Sequence, residues 1–259
     1  MRVSILQTDI AWEDKRENMQ HLRNRLEELS GKTDLVVMPE MFSTGFSMNS
    51  RQLAEPADGN TITTLRSWAG MYRMALLGSY IAFERGDCYN RAFFITPDDR
   101  AFYYDKKHLF RMGNETAYFS AGKNKVIVPY RGWNICMLVC YDLRFPVWSR
   151  NVDNEYDLLV YVANWPDPRR RVWDTLLAAR AMENMSYVCG ANRTGTDGNK
   201  LSYSGGSAIY SPKGERLAAA PDNEDSIITA ELGLDELRDL RKKFPVWMDA
   251  DRFDVGPDK

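Results

Sequence analysis

Leu158-Leu159-Val160-Tyr161-Val162, a helical stretch over about 171–184 and Tyr187-Val188-Cys189-Gly190-Ala191 decide the fold class of this chain. The two outer runs are short and apolar, like strands buried on both faces, and the middle segment is long enough for a crossover helix. The unit is β-α-β. Upstream, residues 3–8 read as a buried strand, and Met19, Leu22, Leu26 and Leu29 form one apolar stripe at helical spacing. Leu35-Val36-Val37-Met38 is a second strand-like run, stopped by Pro39, and a helix is expected over about 61–72 with Asn60 as N-cap. Then the rhythm changes. Residues 75–83, 89–96 and 100–104 read as consecutive strands, with Pro97-Asp98-Asp99 as a turn, and 125–129 and 133–139 flank Arg131-Gly132. Late strands at 207–210 and 227–230 lie around the Ser211-Pro212-Lys213-Gly214 turn. Strands alternating with helices favour an α/β layered fold, while the β-β steps argue against a simple doubly wound sheet. No linker rich in Pro, Gly or Ser divides the chain, so residues 1–259 are expected to form one domain. After a helix near 234–243 comes a tail from about residue 244, Phe244-Pro245-Val246-Trp247-Met248. It is apolar and without a strand partner, and is expected to dock on its own chain or on a second subunit.

The length of 259 residues allows a sizeable core. Apolar residues make up 44% and charged residues 27%, the balance of a soluble globular protein. With 34 basic and 36 acidic residues the formal net charge is −2, which gives no electrostatic reason to expect nucleic acid or an anionic membrane as partner. The first residues lack a signal peptide's apolar run, and no segment approaches the roughly 18 apolar residues of a membrane span. Cys88, Cys136, Cys140 and Cys189 show neither a CxxC pair nor zinc-finger spacing. A cytoplasmic protein with reduced thiols is the expectation. His21 and His108 are the only histidines, so a metallohydrolase centre has no ligand cluster to rest on, and no metal is expected.

Three segments join a reactive side chain to the end of an expected strand, where sites of open α/β folds gather. In Val36-Val37-Met38-Pro39-Glu40-Met41-Phe42, the Glu40 carboxylate stands among apolar neighbours, a setting suited to proton transfer near neutrality; it reads equally as a cap on the following turn. Tyr103-Tyr104-Asp105-Lys106-Lys107-His108-Leu109-Phe110 carries adjacent lysines, of which at most one can face a given pocket; taken alone it reads as a solvated basic turn. Ile135-Cys136-Met137-Leu138-Val139-Cys140-Tyr141-Asp142-Leu143-Arg144-Phe145-Pro146 runs from an apolar strand into a polar turn. A cysteine on such a turn is exposed to a cleft, and the backbone N–H groups that follow are free to hold an oxyanion. Cys136 and Cys140 share a face if the strand stays regular, and Cys136 fits the ordinary role of a buried structural thiol.

In this order and context, Glu40, Lys106 and Cys140 resemble the nitrilase superfamily of carbon–nitrogen hydrolases. The similar stretches also include Asn164-Trp165-Pro166, Arg180-Ala181-Met182-Glu183-Asn184 and Ala191-Asn192-Arg193-Thr194-Gly195, so the likeness runs from Met1 to about Phe253. The family's K-x-H-L pattern selects Lys106 over Lys107, and Glu115 in Gly113-Asn114-Glu115-Thr116 looks like the family's second glutamate. The resemblance implies an αββα sandwich that dimerises into a four-layer αββα-αββα assembly, with Cys140 as nucleophile, Glu40 as general base, and Lys106 with the Tyr141 backbone N–H as oxyanion donors. It implies no metal or organic cofactor, a small-molecule amide substrate, and a homodimer or higher even oligomer.

Cys140-Tyr141-Asp142-Leu143-Arg144-Phe145-Pro146 is most similar to the omega-amidase branch, which deamidates 2-oxoglutaramate. Such a substrate carries an α-oxo carboxylate that a guanidinium can hold in two-point contact. Arg144 is a candidate anchor, or else a partner of Asp142 or another structural acid. Phe42, Phe110, Tyr118 and Trp165 are candidate pocket walls, each also readable as a core aromatic. The competing expectations are an N-carbamoyl hydrolase or another aliphatic amidase, a Cys–His dyad through His108, and a catalytically silent binding protein.

Overall fold

The structure, a computed structural model, describes residues 1–253; the last six positions of the expected 1–259 domain lie outside the described residues. In chain order the strands are β1 (Arg2–Gln7), β2 (Leu35–Val37), β3 (Ala75–Glu84), β4 (Asp87–Ile95), β5 (Ala101–Asp105), β6 (Ile127–Tyr130) and β7 (Trp133–Val139). They continue as β8 (Leu158–Ala163), β9 (Tyr187–Asn192), β10 (Thr194–Thr196), β11 (Ser202–Ser204), β12 (Ala208–Tyr210), β13 (Arg216–Ala219) and β14 (Ser226–Glu231). Two six-stranded sheets result, ordered β14-β1-β2-β3-β4-β5 and β13-β12-β9-β8-β7-β6. Each has a parallel centre, β1-β2-β3 in one and β7-β8-β9 in the other, flanked by antiparallel neighbours. The β-β steps of the sequence are these antiparallel flanks.

The alternation of side chains along a strand sorts them into layers. Val3, Ile5, Leu35, Val37, Ala75 and Leu77 enter one central apolar cluster with the side chains of β7 to β9, so the two sheets stack face to face. Leu6, Val36 and Leu76 point the other way and meet Leu22, Leu26 and Leu29 of the helix Lys15–Leu29 and Ile62 and Leu65 of the helix Asn60–Tyr72. Each such leucine contributes about 1.5–3 kcal/mol when fully buried. On the far side of the second sheet, Trp173, Leu177 and Ala181 of the helix Arg170–Asn184 cover β9. Gly190 makes that approach possible: a Cβ there would stand 2.4 Å from Leu177 and 2.8 Å from Trp173. The architecture is the expected αββα sandwich.

One local expectation differs. Asn60 is the first residue of its helix, with Gly59 before it and no side-chain cap. In the tail Phe244 is 63% and Met248 67% exposed on this chain while Trp247 is half-buried, and the preceding helix Leu234–Lys243 is anchored by Arg241. Its guanidinium donates to Asp157 Oδ1 (2.8 Å), Tyr156 O (2.7 Å) and Met185 O (2.9 Å).

The carboxyl ends of the parallel strands in both sheets point to the same region. The Thr194 N–H, just beyond β9, donates to Thr8 O (3.0 Å), just beyond β1, which ties the two sheets together there.

Candidate active site

β7 ends at Val139, and Cys140 then takes a left-handed conformation with φ of +46°. A non-glycine residue is uncommon there, and such strain gathers at functional turns. Asp142 holds the turn in place. Its carboxylate accepts from the Val139 N–H (3.0 Å), and its carbonyl accepts from the Phe145 N–H (3.0 Å). The Tyr141 N–H lies in the first turn of the short 3-10 segment Cys140–Arg144, where backbone donors have no partner inside the helix. The strand does not stay regular, so Cys140 leaves the face occupied by Cys136. Cys136 is fully buried on the face of the second sheet that the helix Arg170–Asn184 covers, and burial pushes its thiol up to about 12.

Glu40 follows β2, Lys106 follows β5, and Glu115 comes from a short 3-10 turn; all three side chains are fully buried. Lys106 Nζ donates to Glu40 Oε1 (2.9 Å) and to Glu115 Oε2 (3.0 Å) and Oε1 (3.1 Å). Asn90, on β4, joins the two carboxylates by donating to Glu40 Oε1 (2.7 Å) and Glu115 Oε1 (3.1 Å). The orientation of that amide is set by Ser79, whose hydroxyl meets Asn90 Oδ1 at 3.0 Å. Asn164, at the end of β8, clamps Glu40 from the other sheet: its N–H donates to Oε2 (2.8 Å) and its side-chain amide to the Glu40 carbonyl (2.5 Å). The Cys140 thiol donates to Asn164 O (4.0 Å), and the Glu40 and Lys106 charges act on the sulfur from close by.

Burial opposes the Lys106 charge, but Glu115 and Glu40 outweigh it and hold the ammonium protonated well above the usual range. Burial raises the Glu115 carboxyl, with Lys106 pulling against it. Burial, followed by the Glu40 charge, keeps the Cys140 thiol well above its ordinary value, against the pull of Lys106. At rest the sulfur is therefore protonated beside a carboxylate able to take the proton.

Cys140, Glu40, Lys106 and Asn164 line a pocket of about 370 Å³. Of the aromatics proposed from sequence, Phe110 and Trp165 line it, as do Tyr141 and Arg144. Phe42 and Tyr118 do not. Phe42 turns away after Met41, whose φ is +45°, and packs edge-on against Phe93 beneath the site. Tyr118 leaves the turn Glu115–Ala117 toward solvent and is 45% exposed. Arg144 is not the partner of Asp142. The Asp142 carboxylate is taken by the Tyr104 hydroxyl (2.7 Å) and by His108, through its N–H (3.0 Å) and Nδ1 (2.8 Å), while Arg144 lies over the Trp165 ring at 5.2 Å. His108 is stacked on Phe145 with ring centroids 3.8 Å apart, behind the Cys140 turn and outside the pocket lining. His21 sits on the first helix beside Asp225 at 3.4 Å. Lys107 reaches over the Trp148 ring (5.3 Å) rather than into the site.

Sequence reasoning passed over Asn90, the clamping role of Asn164, and two further pocket residues, Arg169 and Tyr203. Asn90 had a signal, a lone amide amid the apolar stretch of β4; Arg169 had none beyond its nearness to Trp165. Among the described residues no group of three or more His, Cys, Asp or Glu side chains could hold a metal ion, and no helix is long and apolar enough to cross a membrane.

Residues 2–242 match the model of the carbon-nitrogen hydrolase family. The chain is 43% identical over 253 residues to omega-amidase YafV of Escherichia coli (strain K12), covering 98% of each protein. It is 32% identical over 251 residues to a 2-oxoglutaramate amidase of Bacillus subtilis (strain 168), covering 95% of this chain and 96% of that one. Among solved structures it superposes with a TM-score of 0.96 and 38% identity, over 99% of each chain, on XC1258 from Xanthomonas campestris, a CN-hydrolase superfamily protein with an arsenic adduct in its active site.

Proposed function

The chain belongs to the carbon–nitrogen hydrolase family, and on that premise we propose that it is an omega-amidase cleaving the terminal amide of a short α-oxo acid such as 2-oxoglutaramate. One observation carries the reading: the Cys140 thiol, the Glu40 carboxylate and the Lys106 ammonium, itself fixed between two carboxylates, line one pocket together with the guanidinium groups of Arg144 and Arg169.

Glu40 takes the thiol proton as the Cys140 sulfur bonds to the amide carbon. Because the sulfur rests as a thiol, proton transfer accompanies attack. The carbonyl electrons move to oxygen, where the Lys106 ammonium and the Tyr141 N–H stabilise the charge. The C–N bond then breaks, and Glu40 returns its proton to the nitrogen, releasing ammonia. Water, deprotonated by Glu40, attacks the thioester; the C–S bond breaks, the sulfur regains its proton, and the carboxylic acid leaves. Glu115 positions Lys106 and, by accepting from the Phe110 N–H (2.5 Å), couples this centre to the pocket wall.

The test is ammonia release from 2-oxoglutaramate, an N-carbamoyl amino acid, an aliphatic nitrile and an uncharged aliphatic amide. A strong preference for 2-oxoglutaramate, lost in Cys140→Ala, is expected. Equal rates on the uncharged amide or the N-carbamoyl compound would overturn the substrate assignment.

The proposal extends to the whole molecule. One catalytic domain spans the chain, since both sheets share a central core. The exposed Phe244 and Met248 suit burial against a second copy in a homodimer or larger even assembly. Four unpaired cysteines suit a reducing cytoplasm.

A further inference from the structure

Building on the omega-amidase reading, we infer that Arg169 is a second substrate-binding cation, which with Arg144 grips the carboxylate and 2-oxo oxygens and so selects α-oxo over α-amino acid amides. Both residues line the pocket that holds Cys140. Arg144 lies 5.2 Å over the Trp165 ring, and Arg169 lies 5.1 Å over the Phe110 ring. Trp165 connects them. Its face supports Arg144, while its Nε1–H donates to the Arg169 carbonyl (2.8 Å). The Arg169 backbone is fixed from the other side as well, its N–H donating to Pro166 O (3.0 Å).

The contrast with other arginines is what points to a ligand. Arg91 pairs with Asp105 (2.7 Å), Arg170 with Asp174 (2.9 Å) and Asp222 (2.8 Å), and Arg241 with Asp157 (2.8 Å). Among the described residues Arg144 and Arg169 have no ion pair and no side-chain hydrogen bond, although each is half-buried. Besides Glu40, the acid lining the pocket is Asp197, and it is already engaged: Oδ2 accepts from the Tyr203 hydroxyl (2.8 Å), and Oδ1 from the N–H groups of Asn199 (2.8 Å) and Leu201 (3.0 Å). The pocket wall thus carries two guanidinium groups without an ion pair among the described residues, each held over an aromatic ring.

A guanidinium presents a planar fork of donors, and stacking on a ring reduces what must be ordered when a ligand binds. An α-oxo acid offers its carboxylate and ketone oxygens, all acceptors, along one edge. Two forks match that edge. An α-ammonium in the same place brings a third cation and only donors, so an amino acid amide is repelled where an oxo acid amide is held.

The experiment compares wild type, Arg169→Met and Arg169→Lys on 2-oxoglutaramate, L-glutamine and pentanamide, with melting temperatures alongside. Methionine still covers the Phe110 ring but cannot donate. For Arg169→Met, kcat/KM on 2-oxoglutaramate should fall about tenfold to a hundredfold, mainly through KM. The loss on pentanamide should be far smaller, the preference over L-glutamine should shrink by a similar factor, and Arg169→Lys should recover part of it. If wild type prefers 2-oxoglutaramate and Arg169→Met keeps every wild-type ratio, the role of Arg169 is overturned and the omega-amidase reading stands. Equal losses on all substrates would also overturn it, in favour of a structural arginine. A wild type with no preference for 2-oxoglutaramate over pentanamide would overturn both.

Discussion

Replacing Lys106 with methionine would leave two carboxylates facing each other in a site closed to solvent. Lys106, Glu40 and Glu115 are each 0% exposed, and the ammonium makes contacts of 2.9, 3.0 and 3.1 Å to the two acids. Removing one partner of a buried ionic group costs about 3–5 kcal/mol, because the charges left behind lose their compensation. At roughly 2–4 °C per kcal/mol for a domain of this size, the melting temperature should fall by about 6–20 °C. Turnover should fall at least a further hundredfold to thousandfold beyond any effect of unfolding, since the main oxyanion donor is gone. The pH dependence identifies the cause. Burial already raises Glu115, and Lys106 opposes that rise, so the variant carries a still higher folded-state pKa. A carboxyl raised on folding favours the folded state below its unfolded pKa and loses that contribution as pH climbs through the folded value. The stability deficit of Lys106→Met should therefore be widest at about pH 8 and narrow toward about pH 5. Calorimetric melts of wild type, Lys106→Met and Lys107→Met across that range, with ammonia release measured in parallel, give the answer. A deficit independent of pH, or a Lys107→Met variant more damaged than Lys106→Met, would refute the charge argument.

Cys140→Ser should abolish amide hydrolysis with the fold intact, whereas Cys136→Ser, buried beneath the helix layer away from the pocket, should keep substantial activity at some loss of stability; comparable turnover in the two variants would contradict the assignment. Glu40→Gln should cut turnover by about a hundredfold or more. Because the Glu40 charge is one of the influences that raise the Cys140 thiol, the same variant should shift the pH profile of Cys140 alkylation by iodoacetamide downward, and an upward shift would show that the carboxylate does not act on the sulfur in this way. Truncation after Lys243 should lower the mass measured by light scattering, and an unchanged mass would show that the tail is not what holds the subunits together.

How far the site can be read from the sequence follows from the range of each signal. Cys140, Glu40 and Lys106 are visible because each ends a strand, where an apolar run meets a reactive side chain within a few residues. Local pattern says only that one of Lys106 and Lys107 can face the site, since adjacent side chains part in an extended chain; the choice of Lys106 comes from the K-x-H-L resemblance. It fails for Phe42, where a single left-handed residue, Met41, decides that Glu40 enters the site and the ring behind it enters the core. It fails again at the short strands β10 and β11, whose connection carries the pocket residues Asp197, Asn199 and Leu201 but shows no apolar alternation to announce a hairpin. The contacts that assemble the centre are longer in range still. Asn164 clamps Glu40 across 124 positions, and Lys106 meets Glu40 across 66, from strands in different orders and, for Asn164, in the other sheet. Periodicity reports which face of an element is buried, never which strand ends converge. That convergence depends on both sheets placing the carboxyl ends of their parallel strands on one side, and it gives the polar groups around Glu40 their value. Asn90 and Asn164 donate to a carboxylate that would otherwise be buried with Lys106 as its sole strong donor, and a carboxylate so held stays fixed beside Cys140, as the proposed proton exchange with the thiol requires.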